Sequence, residues 1–520
     1  MSIMITTQRT GFCNELTKEL QEMYFGLSQS KFLPAIDNLY FSLFVVDDSK
    51  ALSSDSPLLS LLKHLEDKKD EVLRKHEPVD FAHGLLSTLK SYSFYRFCLS
   101  EPDLYDIFIC STLPNDDTPR IVVQLRALGL WTRSVEDMLA DAYKRVAALL
   151  DDYGCTIERC RESRIDYCYH TNAISSPNKI FKETAGRIKF LRTKLKQATL
   201  TADLEHVKDG TILHKDYICF GRKDSNNVRA RVYDKVKEVM EMGYKDFFFK
   251  VWHDNGLISY YDKWCMEYAF PYKNTDYLAK ARLAFYVDHG ADPQRRKFYT
   301  AALENKNTTL ADFKALADEW MPKTTAIINI EYETKRKFYY YSDDFIEGFK
   351  HIKRSIPQPM ERIYKILDNK TVFLDYLTSK TLAFHNGKDE SGNIKYQPWW
   401  KRLRKTKLGG IKADEKLLRD YSYNMDKRVV QKRAISAVAS SAVYDDKVDT
   451  GFIEDLSDFL SGISDNAAQR MGRLLFVDAD GEVADELYGQ LLKDYSTIKA
   501  KKEVMLRNRK KRKEPANERR

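Results

Sequence analysis

The chain has 520 residues, 43% of them hydrophobic and 31% charged, a globular balance that excludes disordered and collagen-like classes. Of its net charge of +9, +8 lies in Lys499–Arg520, where eleven Lys/Arg face three Glu, so the rest of the chain carries only +1. No apolar run approaches the ~18–20 residues of a membrane span, and the phosphate-loop and dinucleotide fingerprints are absent, which argues against membrane proteins, nucleotide-driven motors and Rossmann dehydrogenases.

Length allows two to four domains at roughly 100–200 residues each. The eight cysteines form no CxxC pair, which argues against zinc ribbons and thioredoxin-type motifs. With no signal-like segment in Met1–Cys13, the expectation is a reducing cytoplasm and no membrane attachment. The basic tail suits phosphate backbones or acidic partners.

In chain order, residues 1–30 read as a polar leader. Leu39–Val46, Tyr105–Thr112 and Arg120–Leu125 read as strands, the last two joined by a turn at Pro114–Asp117. Ser134 caps a predicted helix in which Val135, Met138, Leu139, Ala142, Val146, Leu149 and Leu150 recur at helical spacing, and Gly154 stops it. A strand follows at Arg164–Thr171, then a basic helix from about Asn178 to Gln197. Asp216–Gly221 and Val228–Lys235 pair as a hairpin, and Trp264–Phe270 reads as a strand ended by Pro271. Tyr277–Leu283 opens a helix capped by Asn274, Thr275 or Asp276. Beyond Gly290 helical patterns dominate, at Leu310–Trp320, Phe345–Ile363, Phe452–Ile463 and Glu482–Lys499, with one strand candidate at Ile327–Tyr341 and a loop at 386–396. The reading is α+β: a domain on a largely antiparallel sheet flanked by helices, then a mainly helical region and a basic tail. The boundaries fall at 1–30, 31–290, 291–480 and 481–520.

Five stretches carry candidate chemistry. In Arg164–His170, period two puts Ile165, Tyr167 and Tyr169 on an apolar face and Arg164, Asp166, Cys168 and His170 on the other. An acid, a thiol and an imidazole on one face are costly unless used or solvated. In the predicted strand Trp264–Phe270, Glu267 points away from the aromatic face, between Cys265 and Ala269. Tyr277 falls in the first turn of its helix, where free N–H groups favour a phosphate. A tyrosine hydroxyl beside such a site, with a carboxylate-held metal, can attack a phosphodiester. Arg222 and Lys223 lead into Arg229, Arg231, Tyr233 and Lys235 on one strand face, a track for a nucleic-acid backbone or a plain surface strand. Trp399 and Trp400 precede Lys401, Arg402 and Arg404, a second basic patch or a helix with its tryptophans in a core.

The ordered set RIDYCYH, FGRKDS…RARVYDK and WCMEYAF…TDYL resembles the replication initiation factor family, over about residues 36–290. That family includes initiators of rolling-circle plasmids and filamentous phages, and relaxases of small integrative conjugative elements. The resemblance implies Tyr277 as nucleophile and Asp166 and Glu267 as metal ligands; His170 stands where many members carry an acid and is the candidate third ligand. Tyr272 and Tyr286 flank Tyr277 and compete for its role. Arg231, Tyr233 and Lys235 match the family's Arg-x-Tyr-x-Lys element. No two of the ten histidines lie two apart, so the metal would be held mainly by carboxylates, which favours Mg²⁺ or Mn²⁺ over Zn²⁺. The implied activity nicks one strand at an origin and leaves a 5′-phosphotyrosyl link. The implied partners are origin DNA, a host helicase and polymerase, a conjugative coupling protein, and a second copy as homodimer. The contrasting expectations are a non-enzymatic origin-binding regulator on the same scaffold and an RNA-binding protein.

Overall fold

The computed structural model describes residues 11–175, 217–221, 228–340 and 356–406, apart from a few short gaps, with isolated strand segments at 191–193, 207–208 and 211–212. Two units divide the chain, Met1–Arg419 and Asp420–Arg520, and all described residues fall in the first. The helices expected at Phe452–Ile463 and Glu482–Lys499, the basic tail, Arg222, Lys223 and most of the basic helix at 178–197 lie outside the described residues.

The fold is α+β, built on one ten-stranded sheet. Its strands are β1 (Phe32–Val45), β2 (Val79–Asp80), β3 (Leu86–Thr88), β4 (Phe97–Glu101), β5 (Tyr105–Ile109), β6 (Ile121–Leu125), β7 (Ile157–Thr171), β8 (Tyr217–Phe220), β9 (Val228–Asp234) and β10 (Ile328–Lys335). Their spatial order is β8-β9-β10-β7-β1-β6-β5-β4-β3-β2. Every pairing is antiparallel. The strand candidate Ile327–Tyr341 becomes β10 and then a short helix, Arg336–Tyr340. It wedges between β9 and β7, third from one edge of the sheet.

Two cores sit on the two faces. On one, Ile165, Tyr167 and Tyr169 of β7 join Ile328, Ile330 and Tyr332 of β10 and the inward residues of β1, β5 and β6. Helices α1 (Pro57–Lys75), α2 (Val135–Asp151) and α9 (Glu361–Asp368) contribute to that core. The expected cap of α2 is present: Ser134 Oγ accepts from Asp137 N at 3.0 Å, and Gly154 follows the helix at φ +70°.

The second core covers one end of the opposite face. It gathers α3 (Lys235–Met242), α4 (Phe247–Asp254), α5 (Tyr260–Ala269), α6 (Tyr277–His289), α7 (Pro293–Glu304) and α8 (Leu310–Trp320). The segment read as a polar leader supplies two short helices, Gly11–Glu15 and Lys18–Phe25, whose Phe12, Tyr24 and Phe25 are buried in this core.

Three expectations are corrected. Trp264–Phe270 is not a strand; it belongs to helix α5. Ser259 and Asp262 form a capping box there, and Tyr261, Cys265, Met266 and Ala269 are buried at helical spacing. Leu191–Thr193, placed in the basic helix, pairs as a strand with Leu382–Phe384. The 386–396 loop is part of a hairpin between Leu382–Lys388 and Ile394–Tyr396, with Gly387 and Gly392 at positive φ.

Candidate functional site

The polar face of β7 continues across its neighbours in register. His170 sits opposite Asn329 and Leu33, Cys168 opposite Glu331 and Ala35, and Asp166 opposite Glu333 and Asn38. On the far side of β10, Tyr233, Arg231 and Arg229 of β9 face Asn329, Glu331 and Glu333. Four strands thus lay one polar grid on one face, because each alternates with period two.

Half of this grid lies under the helices. Asp37 accepts from Trp131 Nε1 at 2.9 Å, and Lys235 Nζ lies 3.3 Å from its other oxygen. Lys235 is fully buried and also pairs with Glu238 at 2.6 Å. β9 ends at Asp234, which caps α3 by accepting from Lys237 N, so Lys235 turns into the helix instead of extending a strand track. Burial would raise the Asp37 carboxyl, but the Lys235 and Lys245 ammonium groups outweigh it and hold it well below the carboxylate range. Burial lowers Lys235, and Asp37, Tyr233 and Glu238 outweigh it, so the ammonium persists. His170 stacks on Trp131 at 4.4 Å, and its Nδ1 accepts from Trp252 Nε1 at 3.0 Å. Burial first, then Lys235, keeps it neutral.

Donor atoms of Asp37, Cys168 and His170 lie within 4.8 Å of one another, the one cluster with metal-ligand spacing found among the described residues. The lysine ammonium already supplies positive charge to its carboxylate. His170 therefore groups with Asp37 and Cys168, beneath the helices, and not with Asp166.

The other half of the grid is acidic. Arg164 forks Asp166, with Nε and Nη2 donating at 2.8 and 2.6 Å, and the same Nη2 lies 3.2 Å from Glu333. Arg231 Nη2 pairs with Glu331 and lies 3.8 Å from Glu333. Tyr233 Oη donates to Glu331 at 2.8 Å, and Lys335 Nζ lies 3.4 Å from Glu333. Asp166, Glu331 and Glu333 are buried, while Arg164 and Arg231 keep about a quarter of their side chains in solvent. Three carboxylates thus lie beneath two shared guanidiniums. Burial, then the charges of Glu331 and Glu333, push the Asp166 carboxyl up to about 7, even against the Arg164 fork. Glu331 and Glu333 are the residues the sequence reading missed. The Ile-Asn-Ile-Glu-Tyr-Glu alternation of β10 carried the same period-two signal as β7.

The remaining expected residues fall elsewhere. Glu267 is on helix α5, half exposed, and pairs with Lys263 one turn back at 3.1 Å. The acidic neighbours that raise Asp166 are Glu331 and Glu333, not Glu267. Arg231 and Tyr233 are committed to Glu331, and Arg229 Nε lies 2.9 Å from Cys219 Sγ, so this face is an ion-pair grid before it is a backbone track. In the second basic patch, now α10 (Pro398–Lys405), Trp400 is buried and donates to the Thr378 carbonyl at 2.9 Å. Lys401 is exposed, Arg402 lies over Phe32, and Arg404 pairs with Asp375 at 2.7 Å. Its tryptophans are core, as in the blander of its two expectations.

Tyr277 opens α6 as expected, its ring stacked on Tyr272 at 4.0 Å. The amides of Tyr277, Leu278 and Ala279 bond to the carbonyls of Asn274, Thr275 and Asp276, so the first turn has already spent the donors expected for a phosphate. Tyr286 is buried and donates to Glu15 at 2.6 Å, which removes it from competition; Tyr272 is 44% exposed.

No protein-family model and no curated protein matches the chain. Among solved structures, a rolling-circle replication initiator protein from Geobacillus stearothermophilus is similar, at 10% identity and a TM-score of 0.28, over 72% of this chain and 96% of that one. No helix among the described residues is long and apolar enough to cross a membrane.

Proposed function

We propose that this protein is a replication initiator or relaxase that cuts and rejoins one strand of origin DNA. The observation that carries the reading is the trio Asp166, Glu331 and Glu333, gathered under two guanidiniums on one sheet face. The resemblance of the three ordered sequence motifs supports the same chemistry. Three carboxyl groups offer hard oxygen donors, but their oxygens are spread along Arg164 and Arg231, and metal-ligand spacing among the described residues occurs only at Asp37, Cys168 and His170, so a cation at the trio has to displace the guanidiniums first. Mg²⁺ or Mn²⁺ that took the place of the guanidiniums and drew Asp166, Glu331 and Glu333 together would polarise a phosphoryl oxygen.

Arg164 and Arg231 hold the carboxylates together and reach solvent, so they are placed to turn to the non-bridging oxygens of a phosphodiester. Tyr277 Oη attacks phosphorus and gives up its proton. The bond to the 3′ oxygen breaks, that oxygen takes a proton, and tyrosine keeps the 5′ phosphate. The phosphotyrosyl ester conserves the bond energy for rejoining, so no nucleotide is consumed. The free 3′-OH then primes a host polymerase behind a host helicase, or the linked strand passes to a conjugative coupling protein.

A nicking assay tests this. The full chain is mixed with labelled single-stranded oligonucleotides tiling the DNA around its own gene, with Mn²⁺ or EDTA. A metal-dependent covalent adduct is expected, lost in Tyr277→Phe and in Asp166→Asn. An adduct that survives Tyr277→Phe and falls with Tyr272→Phe moves the nucleophile by one stacked ring. Tight DNA binding with no adduct on any tile would leave the non-enzymatic regulator.

A further inference from the structure

Beyond the acidic trio, toward β6, β5 and β4, the same sheet face changes character. A small core there joins Tyr40, Tyr95, Cys98, Phe108, Cys110, Leu113 and Val122, all strand or loop residues, with no helix residue among them. Two aromatic rings stand on top of it, Tyr92 and Phe94, 42% and 45% exposed. They are held out by a tight turn in which Tyr92 and Tyr95 exchange backbone hydrogen bonds at 3.2 and 2.8 Å. Ser93 within that turn takes φ +53°, a left-handed conformation that a residue with a Cβ adopts only at a cost.

The rings form a line. Phe94 stacks on Tyr95 at 4.7 Å, Tyr95 lies 6.0 Å from Tyr92, and Tyr92 lies 5.8 Å from Tyr40. Tyr40 in turn carries Arg164 over its ring at 5.5 Å, and Arg164 is the guanidinium that forks Asp166. Beside this line, Arg159 and Arg161 lie over Phe44, at 4.0 and 4.5 Å. Burial, then Arg336 and Arg159, lower the Arg161 pKa to about 10 against the opposing charge of Glu162.

We infer that this half of the face is a track for single-stranded DNA, with bases stacking on Tyr92 and Phe94, phosphates on Arg159 and Arg161, and the strand running past Tyr40 to the acidic trio. The inference deepens the nicking reading and rests on it for the direction of the strand. Exposed rings beside guanidiniums that form no salt bridge among the described residues fit a strand with free base faces and a charged backbone; in a duplex the bases are already stacked on one another.

The test is fluorescence anisotropy of a labelled 15-nucleotide single strand and its duplex on the full chain. Tyr92→Ala/Phe94→Ala should weaken the single strand by about ten-fold or more and leave the duplex unchanged. Arg159→Gln/Arg161→Gln should flatten the salt dependence by about 0.7 per arginine. Tyr92→Trp should keep wild-type affinity, with its fluorescence quenched by the bound strand. Circular dichroism confirms folding. Folded variants that bind the single strand like wild type would overturn the track, as would equal losses for both probes. Platform-dependent strand binding with no covalent adduct would sink the nicking reading and leave the track standing.

Discussion

The two halves of the polar grid lie on one sheet face, and they end in opposite electrostatic states. Under the helices, Asp37 and Lys235 are enclosed, Glu238 of α3 stands at the edge of the cover, and each charge has a partner within 3.3 Å. Toward the edge of the helical cover, three carboxylates share two guanidiniums that still touch solvent, and one carboxyl is pushed toward neutrality. The helix cover makes the difference. A buried charge must be matched when the chain folds, whereas a charge reached by solvent-touching arginines can be left for a ligand to match.

Removing the matching charge under the helices should give the largest effect. Lys235→Met leaves Asp37 buried with its chief counter-charge gone and should cost about 3–5 kcal/mol, read from denaturant unfolding. The double change Asp37→Asn/Lys235→Met should recover most of it. A Lys235→Met protein as stable as wild type would break the contrast between the halves.

The acid response comes next, and its sign differs between the halves. Asp166 has a folded pKa of about 7 against the ordinary aspartate value of 3.8, so the native state holds a proton that the unfolded chain has lost in between. Stability from this group should therefore grow as pH falls from 7 toward 4. Asp37 is depressed, so its contribution is present above the ordinary carboxylate pKa and lost as pH falls below it. Comparing wild type with Asp166→Asn by thermal melts from pH 7 to 4.5 should show wild type gaining on the variant. Mn²⁺ at neutral pH should raise the wild-type melting temperature and leave that of Asp166→Asn unmoved.

The smallest effect should come from Glu267→Gln. It removes one exposed i,i+4 partner of Lys263, worth under about 0.5 kcal/mol, and adduct formation should not change. A large loss of nicking would return Glu267 to the metal centre.

How much of this was legible follows from what is local. The face of β7 was readable because Ile165, Tyr167 and Tyr169 alternate with Arg164, Asp166 and Cys168 without interruption. The helix at 260–269 was misread because Trp264, Met266, Tyr268 and Phe270 also alternate, and the Ser259–Asp262 capping box that contradicts a strand lies just upstream. The strand of Glu331 and Glu333 was visible, but its pairing with β7 was not, because nothing in either segment states which distant strand it will meet. Tyr92 and Phe94 gave no signal, since exposed rings in a turn acquire meaning only from Tyr40 and Arg164 beneath them.

The insertion of β10 between β9 and β7 also sets a schedule for synthesis. Asp166 leaves the ribosome long before Glu331 and Glu333, and the hairpin of β8 and β9 gains its place in the sheet through β10. Helices α3 to α8 are made in the interval, so they must wait beside a sheet that still ends at β7. A nascent chain that has emerged only as far as Trp320 holds the tyrosines but not the carboxylate trio. The carboxylate trio is therefore completed late, in one step, with the eight residues of a single strand.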